Sequence, residues 1–485
     1  MVLVKKSQKI QYSQSDFPSG SWLKSTLEFI VSTKLKLMSK FALFFLMIFF
    51  GGIISAFLLT PAASFIVYQI VYFLNPDIRW WSASIPGIRY SLISVLVMIF
   101  VLISHYKSFS LVAPWKEQSV FKWMIALLIY YFIGLSFAIV PVMHERFAIE
   151  FAKLILIMLI AYKIVHTEKA LDACLWAYVI GVTYIGYMAR EVGRDGQGRV
   201  EGIGMVDTGG DSNSTAAAMV PALIILMYLA WLGNKKTKLL AAFCGAFIAN
   251  GIVLINSRGA FLGALVGSLF FLIYMLFSRY QRKGQRATAI FIILAALGGT
   301  AYVADDLFWT RMQTIQQVED GSASGSHRIE FWLATFDLLK DHPLGVGVQG
   351  YVELSPNYLP EHYFEGRKVG KAVHSMWFQM LAELGYIGLF LLLALLVSTL
   401  RLSKRTKQNI LKGGDYNAYF KVLALEGALI SFLVAGSFID RARAEVLYWL
   451  ILFIAVAANI YLFRDSKQKN AELSKPAAQE LKRYE

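Results

Sequence analysis

The sequence predicts an all-α, polytopic membrane bundle of about twelve transmembrane helices, on three observations. Of 485 residues, 57% are hydrophobic and only 16% charged, with a mean hydropathy of +0.54; a soluble domain of this length carries more charge. Apolar runs of about 17–25 residues, enough to cross a hydrocarbon core, recur from Phe41 to Phe463. The net charge of +15 comes from basic residues in short loops and tails between those runs, which is the positive-inside pattern and not a nucleic-acid-binding patch. One integral bundle follows, not several soluble domains.

Residues 1–40 are polar and Lys-rich, too long for the charged segment of a signal peptide, and are expected to form a cytoplasmic tail. Nine crossings are expected within 41–304, at 41–75, 88–104, 121–139, 148–165, 171–189, 214–232, 238–255, 258–277 and 287–304. A large loop at 305–375 follows, then crossings at 376–400, 419–438 and 444–463 and a cytoplasmic tail at 464–485. The first run is too long for one helix at 1.5 Å per residue and short for two, which leaves a helix broken at Pro61 or a tight hairpin. An inside N-terminus also places Lys235-Lys236-Thr237-Lys238, Arg279 to Arg286 and Arg401 to Lys407 inside. In the short loops of the opposite face every basic residue is an arginine: Arg79, Arg146, Arg190, Arg194, Arg199, Arg441 and Arg443. Arginine binds phosphate oxygens in pairs and also snorkels to the interface; taken singly, each residue fits both. Cys174 and Cys244 lie in apolar runs and read as packed thiols, with no disulfide and no metal.

The residues able to carry chemistry fall on that opposite face. Arg258 stands at the joint of two apolar runs, where a guanidinium costs roughly 2.5–3.5 kcal/mol at membrane depth. Gly259, Gly263 and Gly267 follow it at the spacing that lets helices pack backbone to backbone. Arg328 opens an amphipathic stretch to Leu339, with Ile329, Trp332, Leu333, Phe336 and Leu339 on one face and Ser326 as its cap. It reads as a helix on the outer membrane surface, roofing the bundle and ended by His342-Pro343-Leu344-Gly345-Val346-Gly347. His374 lies where the next crossing begins, with Lys371 one helical turn earlier. Asp211 and Asn213 close a glycine-rich loop from Gly202; no strand precedes it, so it is not a phosphate loop, and capping the next helix is their plainer role. His327 and His342 read as cap and turn residues. Glu383 and Glu426, inside crossings, read as hydrogen-bonded carboxyls before proton relays. No His/Cys/Asp cluster has metal spacing, no Gly-x-Ser-x-Gly elbow is present, and no cofactor is expected. Two arginines and a histidine on one face supply diphosphate binding and a general base. That suits transfer of a glycan from a lipid diphosphate to a hydroxyl, with guanidiniums neutralising the leaving group.

The ordered set Asp211-Ser212-Asn213, Ser257-Arg258-Gly259, Arg328 with Trp332, His342 to Gly347, and His374-Ser375 with Glu383-Leu384-Gly385-Tyr386-Ile387-Gly388 resembles the O-antigen ligase and polymerase superfamily across roughly 200–400. Tyr72-Phe73-Leu74-Asn75-Pro76 is similar to the putative O-glycosylation ligases found with exosortase systems. The resemblance implies a C-type glycosyltransferase fold with a large periplasmic loop in the bacterial inner membrane. It also implies an undecaprenyl-diphosphate-linked glycan donor and metal-independent, inverting transfer. Carried over by position, His374, Arg258 and Arg328 are the expected catalytic residues. Arg258, Arg328, Asp211, Asn213, Lys371 and Trp332 are the expected substrate-binding set, with Trp332 and the His342 turn shaping the loop. Asp211-Ser212-Asn213 departs from the Asp-Pro-Asn expected there. The acceptor is a lipid core for a ligase, a glycan for a polymerase, or a protein hydroxyl for an oligosaccharyltransferase, and the motifs serve all three. The competing class is a transporter or flippase of lipid-linked glycans. Glu383 and Glu426 favour it, but no inverted repeat of interrupted helices accompanies them.

Overall fold

A computed structural model describes residues 39–196, 198–313, 327–364 and 370–464. Every regular element among them is helical. Ten helices are long and apolar enough to cross a membrane, or eleven if the bent pair Tyr90–Ser104 and Tyr106–Glu117 forms one span. The chain is a multi-pass membrane protein. The shortfall from the expected twelve lies in two runs: 88–104, whose helix Tyr90–Ser104 has only 15 residues and bends by 84° into the next, and 148–165. The 41–75 run resolves into α1 (Lys40–Leu58) and α2 (Ala62–Leu74). At 13 residues, α2 reaches only about 20 Å, short of a hydrocarbon core of about 30 Å. A side chain on Gly52 would run into Val67, so the chain doubles back around Pro61: of the two alternatives, the hairpin. The region expected to cross at 148–165 belongs to a 24-residue helix, Pro141–Ile164, that carries Glu145, Arg146, Glu150, Lys153 and Lys163 along its length. The expected tails lie almost wholly outside the described residues.

Two compact units divide the chain. In the smaller, Phe41 packs edge-on against Trp80 and Phe45 packs on Trp81, with Arg79 buried. The larger, Gly52–Asn75 and the chain from Arg89, carries all the remaining helices. In chain order these are α3 (Tyr90–Ser104), α4 (Tyr106–Val112), α5 (Ser119–Ile133), α6 (Pro141–Ile164), α7 (Glu168–Val192), α8 (Ser212–Leu232), α9 (Lys235–Ile255), α10 (Arg258–Phe277), α11 (Gln285–Val303), α12 (Asp306–Gln313), α13 (His327–Asp341), α14 (Gly350–Tyr358), α15 (Met376–Gly413), α16 (Tyr416–Gly436) and α17 (Glu445–Ala458). Side chains of Thr167, Asp211, Asn234 and Asp415 accept amide hydrogens at the starts of α7, α8, α9 and α16, which satisfies donors a helix leaves open there.

The glycine spacing after Arg258 works as its period suggested. α10 packs along α16. An added Cβ would stand 3.1 Å from Phe438 at Gly259, 2.5 Å from the Ser431 carbonyl oxygen at Gly263, and 2.5 Å from Ser431 Cβ at Gly267. This contact fixes the helix whose first residue is Arg258.

A second lock sets the start of α15. That helix is broken at Leu384 and Gly385, and the His342–Gly347 turn fills the break. Val346 and Gly347 donate to the carbonyls of Ala382 and Glu383, each at 2.9 Å. Gly345, at φ +93°, admits no side chain: a Cβ would lie 2.6 Å from the Gly385 nitrogen and 2.7 Å from the Glu383 oxygen. The turn is held from behind by buried His144, whose Nε2 donates to the Tyr131 carbonyl (2.7 Å) and whose Nδ1 accepts from the Val348 amide (2.9 Å).

Both intramembrane glutamates are ion-paired. Glu383 takes Arg443 and accepts from Tyr131 and Gln379; Glu426 takes Lys407 and accepts from Ser403. Buried charges stay ionised in low dielectric only with such partners.

The helix expected over 328–339 forms, and the five residues read as one apolar face are divided, with Leu339 buried and Trp332 packed against the core. Phe331, Ala334, Thr335, Leu338 and Leu339 are buried, while Ile329, Leu333 and Phe336 face outward. Both stripes are apolar at helical spacing, so periodicity alone could not choose between them. The choice is tertiary: the Tyr351 hydroxyl donates to the Phe331 carbonyl at 2.8 Å, and Leu359, Tyr358, Tyr363 and Phe364 pack on Phe331 and Ala334. The cap assigned to Ser326 lies outside the described residues.

Candidate functional site

The ends of α7, α9, α11 and α16 and the starts of α8, α10, α15 and α17 share one end of the larger unit. Loops there are tied by buried polar contacts. Asp207 accepts from the Tyr72 hydroxyl (2.5 Å) and the Glu445 amide (3.0 Å) and pairs with Arg441 (2.7 Å). Arg194 donates to the last carbonyls of α9, Val253 (3.0 Å) and Leu254 (3.3 Å), and pairs with Asp305. Arg441, Arg443 and Arg194 are therefore spent on architecture, and Arg146 pairs with Glu150 on its own helix. The arginine bias of these loops is mostly structural.

Arg258 and Arg328 are brought together, from the first turns of α10 and α13. Burial, and then repulsion from Arg258, push Arg328 below the ordinary arginine value, with Asp440 pulling the other way. Two further guanidiniums join them. Arg311 of α12 is lowered by burial and then by Arg199, Arg258 and Arg328. Arg199 donates to the Ser212 hydroxyl and lies 3.6 Å from Glu201. Four guanidiniums lie within reach of one another's charge, an arrangement that would attract an anion.

His374 is held beside them in a left-handed backbone conformation, φ +57°, that a non-glycine residue adopts only when its surroundings impose it. Three elements do so. Trp332 of α13 donates from Nε1 to the Val373 carbonyl at 3.1 Å and stacks on Phe378 at 5.3 Å. The Asp440 carboxylate accepts from the Ser375 amide at 2.9 Å and from the His374 amide. The Lys371 amide donates to the Ser355 hydroxyl of α14 at 2.8 Å. Lys371 and His374 lie in a non-helical lead ahead of α15, not on the helical turn the sequence suggested. The ring itself is accessible. Enclosure by the surrounding chain, and then the charge of Arg328, hold it below its usual value, with Lys371 adding and Asp211 opposing. Both effects favour the neutral ring, the form that can act as a base.

Asp211 caps α8, accepting from the Ser214 amide at 2.7 Å, and its charge still reaches His374. Asn213 accepts from the Ser257 hydroxyl at 2.9 Å and so ties the start of α8 to the residue before Arg258. Serine at 212, where the resemblance expected proline, is used: its amide and hydroxyl both donate to Glu201, at 3.1 and 2.8 Å, and proline has no amide hydrogen to offer. Trp332 acts through the His374 segment.

Three members of the cluster were outside the sequence-derived set. Arg311 sits in a short helix that lay unmarked within the 305–375 loop. Arg199 was one of seven loop arginines with nothing to separate it from the rest. Asp440 is the one acid of the 439–443 loop, and its carboxyl, raised by burial to about 6, is opposed by the two amides it accepts from. We expect Asp440→Ala to lower kcat about 10- to 100-fold, the value of charged hydrogen bonds of about 1.5–3 kcal/mol, and to lower the thermal midpoint, since two amides lose their acceptor, while donor binding is retained. Unaltered turnover in a reconstituted assay would show that the His374 backbone holds its shape without it.

Among the described residues no group of three or more His, Cys, Asp or Glu is placed to hold a metal ion. A surface groove along α6, lined by Val142, Glu145, Arg146, Ile149, Glu150 and Lys153, contains none of the clustered groups.

Residues 243–393 match the family model Wzy_C, described as O-antigen ligase. The match contains Arg258, Arg311, Arg328, Trp332, Lys371 and His374, and leaves Arg199, Asp211, Asn213 and Asp440 outside. No curated protein matches the chain.

Proposed function

We propose, on the match of residues 243–393 to the O-antigen ligase family model, that the chain transfers a glycan from an undecaprenyl-diphosphate donor to an acceptor hydroxyl at the periplasmic face of a bacterial inner membrane. The observation that supports the reading is that the charge of Arg258 reaches Arg328 and the charge of Arg328 reaches His374, three residues from separated stretches of sequence. Arg258 and Arg328 hold the two phosphates. Neutral His374 takes the proton of the acceptor hydroxyl as its oxygen attacks the anomeric carbon. The bond from that carbon to phosphate breaks on the opposite side, so configuration inverts, and the electron pair leaves on the diphosphate, where the guanidiniums meet it.

A lipid-core acceptor, and hence a ligase, is the reading we favour. A growing glycan (a polymerase) or a protein hydroxyl uses the same donor site. A transporter of lipid-linked glycans loses its main support, since Glu383 and Glu426 are paired to Arg443 and Lys407. The test is transfer by the purified chain in proteoliposomes with a lipid-linked oligosaccharide and competing lipid-core, glycan and peptide acceptors, with and without EDTA. We expect product on the lipid core and an unchanged rate with EDTA, because arginines supply the positive charge. Movement of the donor across the bilayer without product would replace the reading with transport, and rescue of EDTA-treated enzyme by a divalent ion would contradict the arginine account.

A further inference from the structure

We infer that Arg311 is a third guanidinium of the donor site, placed to take up the charge that appears on the leaving diphosphate. On the diphosphate reading above, the charge balance asks for such a group. A donor diphosphate bears a substituent on each phosphate and carries two negative charges. When the sugar–oxygen bond breaks, the electron pair stays on the terminal phosphate, which becomes a monoester with a third charge, while the acceptor's proton rests on His374. Arg258 and Arg328 match the charge of the bound donor. A third cation is matched only to the transition state and product, and an interaction made there and not in the ground state accelerates the step.

The fold builds α12 to hold Arg311 in place. Asp305, paired with Arg194, accepts from the Phe308 amide at 3.0 Å and starts the helix. Buried Phe308 meets Phe261 of α10 edge-on at 5.4 Å. Leu307 closes the other side, 3.8 Å from where a Cβ on Gly198 would stand. Arg311 lies one turn beyond Phe308 on the same face, and Arg258 one turn before Phe261 on its own, so the ring pair brings the two guanidiniums to one place. Their mutual repulsion, with Arg199 and Arg328 adding and Glu201 opposing, registers in the depressed Arg311 value.

The experiment is isothermal titration of the full-length protein in nanodiscs, at low salt and neutral pH, with two probes. One is farnesyl diphosphate, a monoester; the other is a farnesyl diphosphate esterified on its terminal phosphate, a diester like the donor. We expect wild type to prefer the monoester by about tenfold, the order of one charge-assisted contact. Arg311→Gln should bind the diester as wild type does and lose the preference, and Arg311→Lys should keep part of it. Undiminished preference in Arg311→Gln, or none in wild type, overturns the inference. Wild type binding neither probe instead overturns the diphosphate reading on which it rests.

Discussion

Arg258→Ala is expected to abolish transfer, by about a thousandfold or more, on the scale of the roughly 10³–10⁵ in rate that an arginine contributes in phosphoryl transfer by stabilising charge on phosphate oxygens. The protein should still insert and fold. What holds α10 in place is the glycine face against α16, at Gly263 and Gly267, and Arg258 is only its first residue. Removing the side chain also relieves repulsion, because Arg311 and Arg328 are both disfavoured by its charge. Stability measured by thermal melting in detergent should therefore hold or rise slightly while activity disappears, a pairing that a structural arginine would not give. Arg258→Lys should recover little, since a point charge does not reproduce the planar fork that grips two phosphate oxygens. Normal transfer by Arg258→Ala in a reconstituted assay would remove this residue from the donor site.

The membrane class was legible because it depends on summed hydropathy, which no tertiary contact alters. The packing role of Gly259, Gly263 and Gly267 was legible for a similar reason: a fixed small-residue period has few physical uses. Span count was less so. A run such as 41–75 declares its length but not where it turns, and Pro61 became decisive only once Gly52 lay against Val67. The inward face of α13 was not legible, because Ile329, Leu333 and Phe336 and the opposing Phe331, Ala334 and Leu338 are equally apolar stripes. At the cluster, Arg258, Arg328 and His374 stood out through motif order. Asp440 and Arg311 did not, because an acid in a five-residue loop and an arginine in a two-turn helix carry no local signal. Their meaning is the company they keep after folding. Arg443 and Arg441 show the converse: in sequence they fitted anion binding and snorkelling equally, and they are engaged by Glu383 and Asp207.

His374→Ala should lower kcat by about 10²–10⁴, the usual contribution of a positioned general base, and leave donor affinity intact, since the diphosphate is held by guanidiniums. The pH profile gives the sharper test. A base must be neutral to act, so activity falls as pH drops through its pKa. Enclosure and the Arg328 charge hold the His374 value below 6.5, with Lys371 adding to them and Asp211 opposing. The acid limb of kcat/KM should therefore lie below 6.5, where a free imidazole would already be half protonated. Arg328→Gln should move that limb upward, toward the ordinary histidine value, as well as weakening donor binding; Asp211→Asn should move it further down. Asp440, which reaches about 6 and accepts from the same backbone, is separated by Asp440→Asn: a limb that persists in that variant and disappears in His374→Ala belongs to the imidazole. If His374→Ala loses donor affinity while turnover of bound donor is unchanged, the ring shapes the site and the proton goes elsewhere.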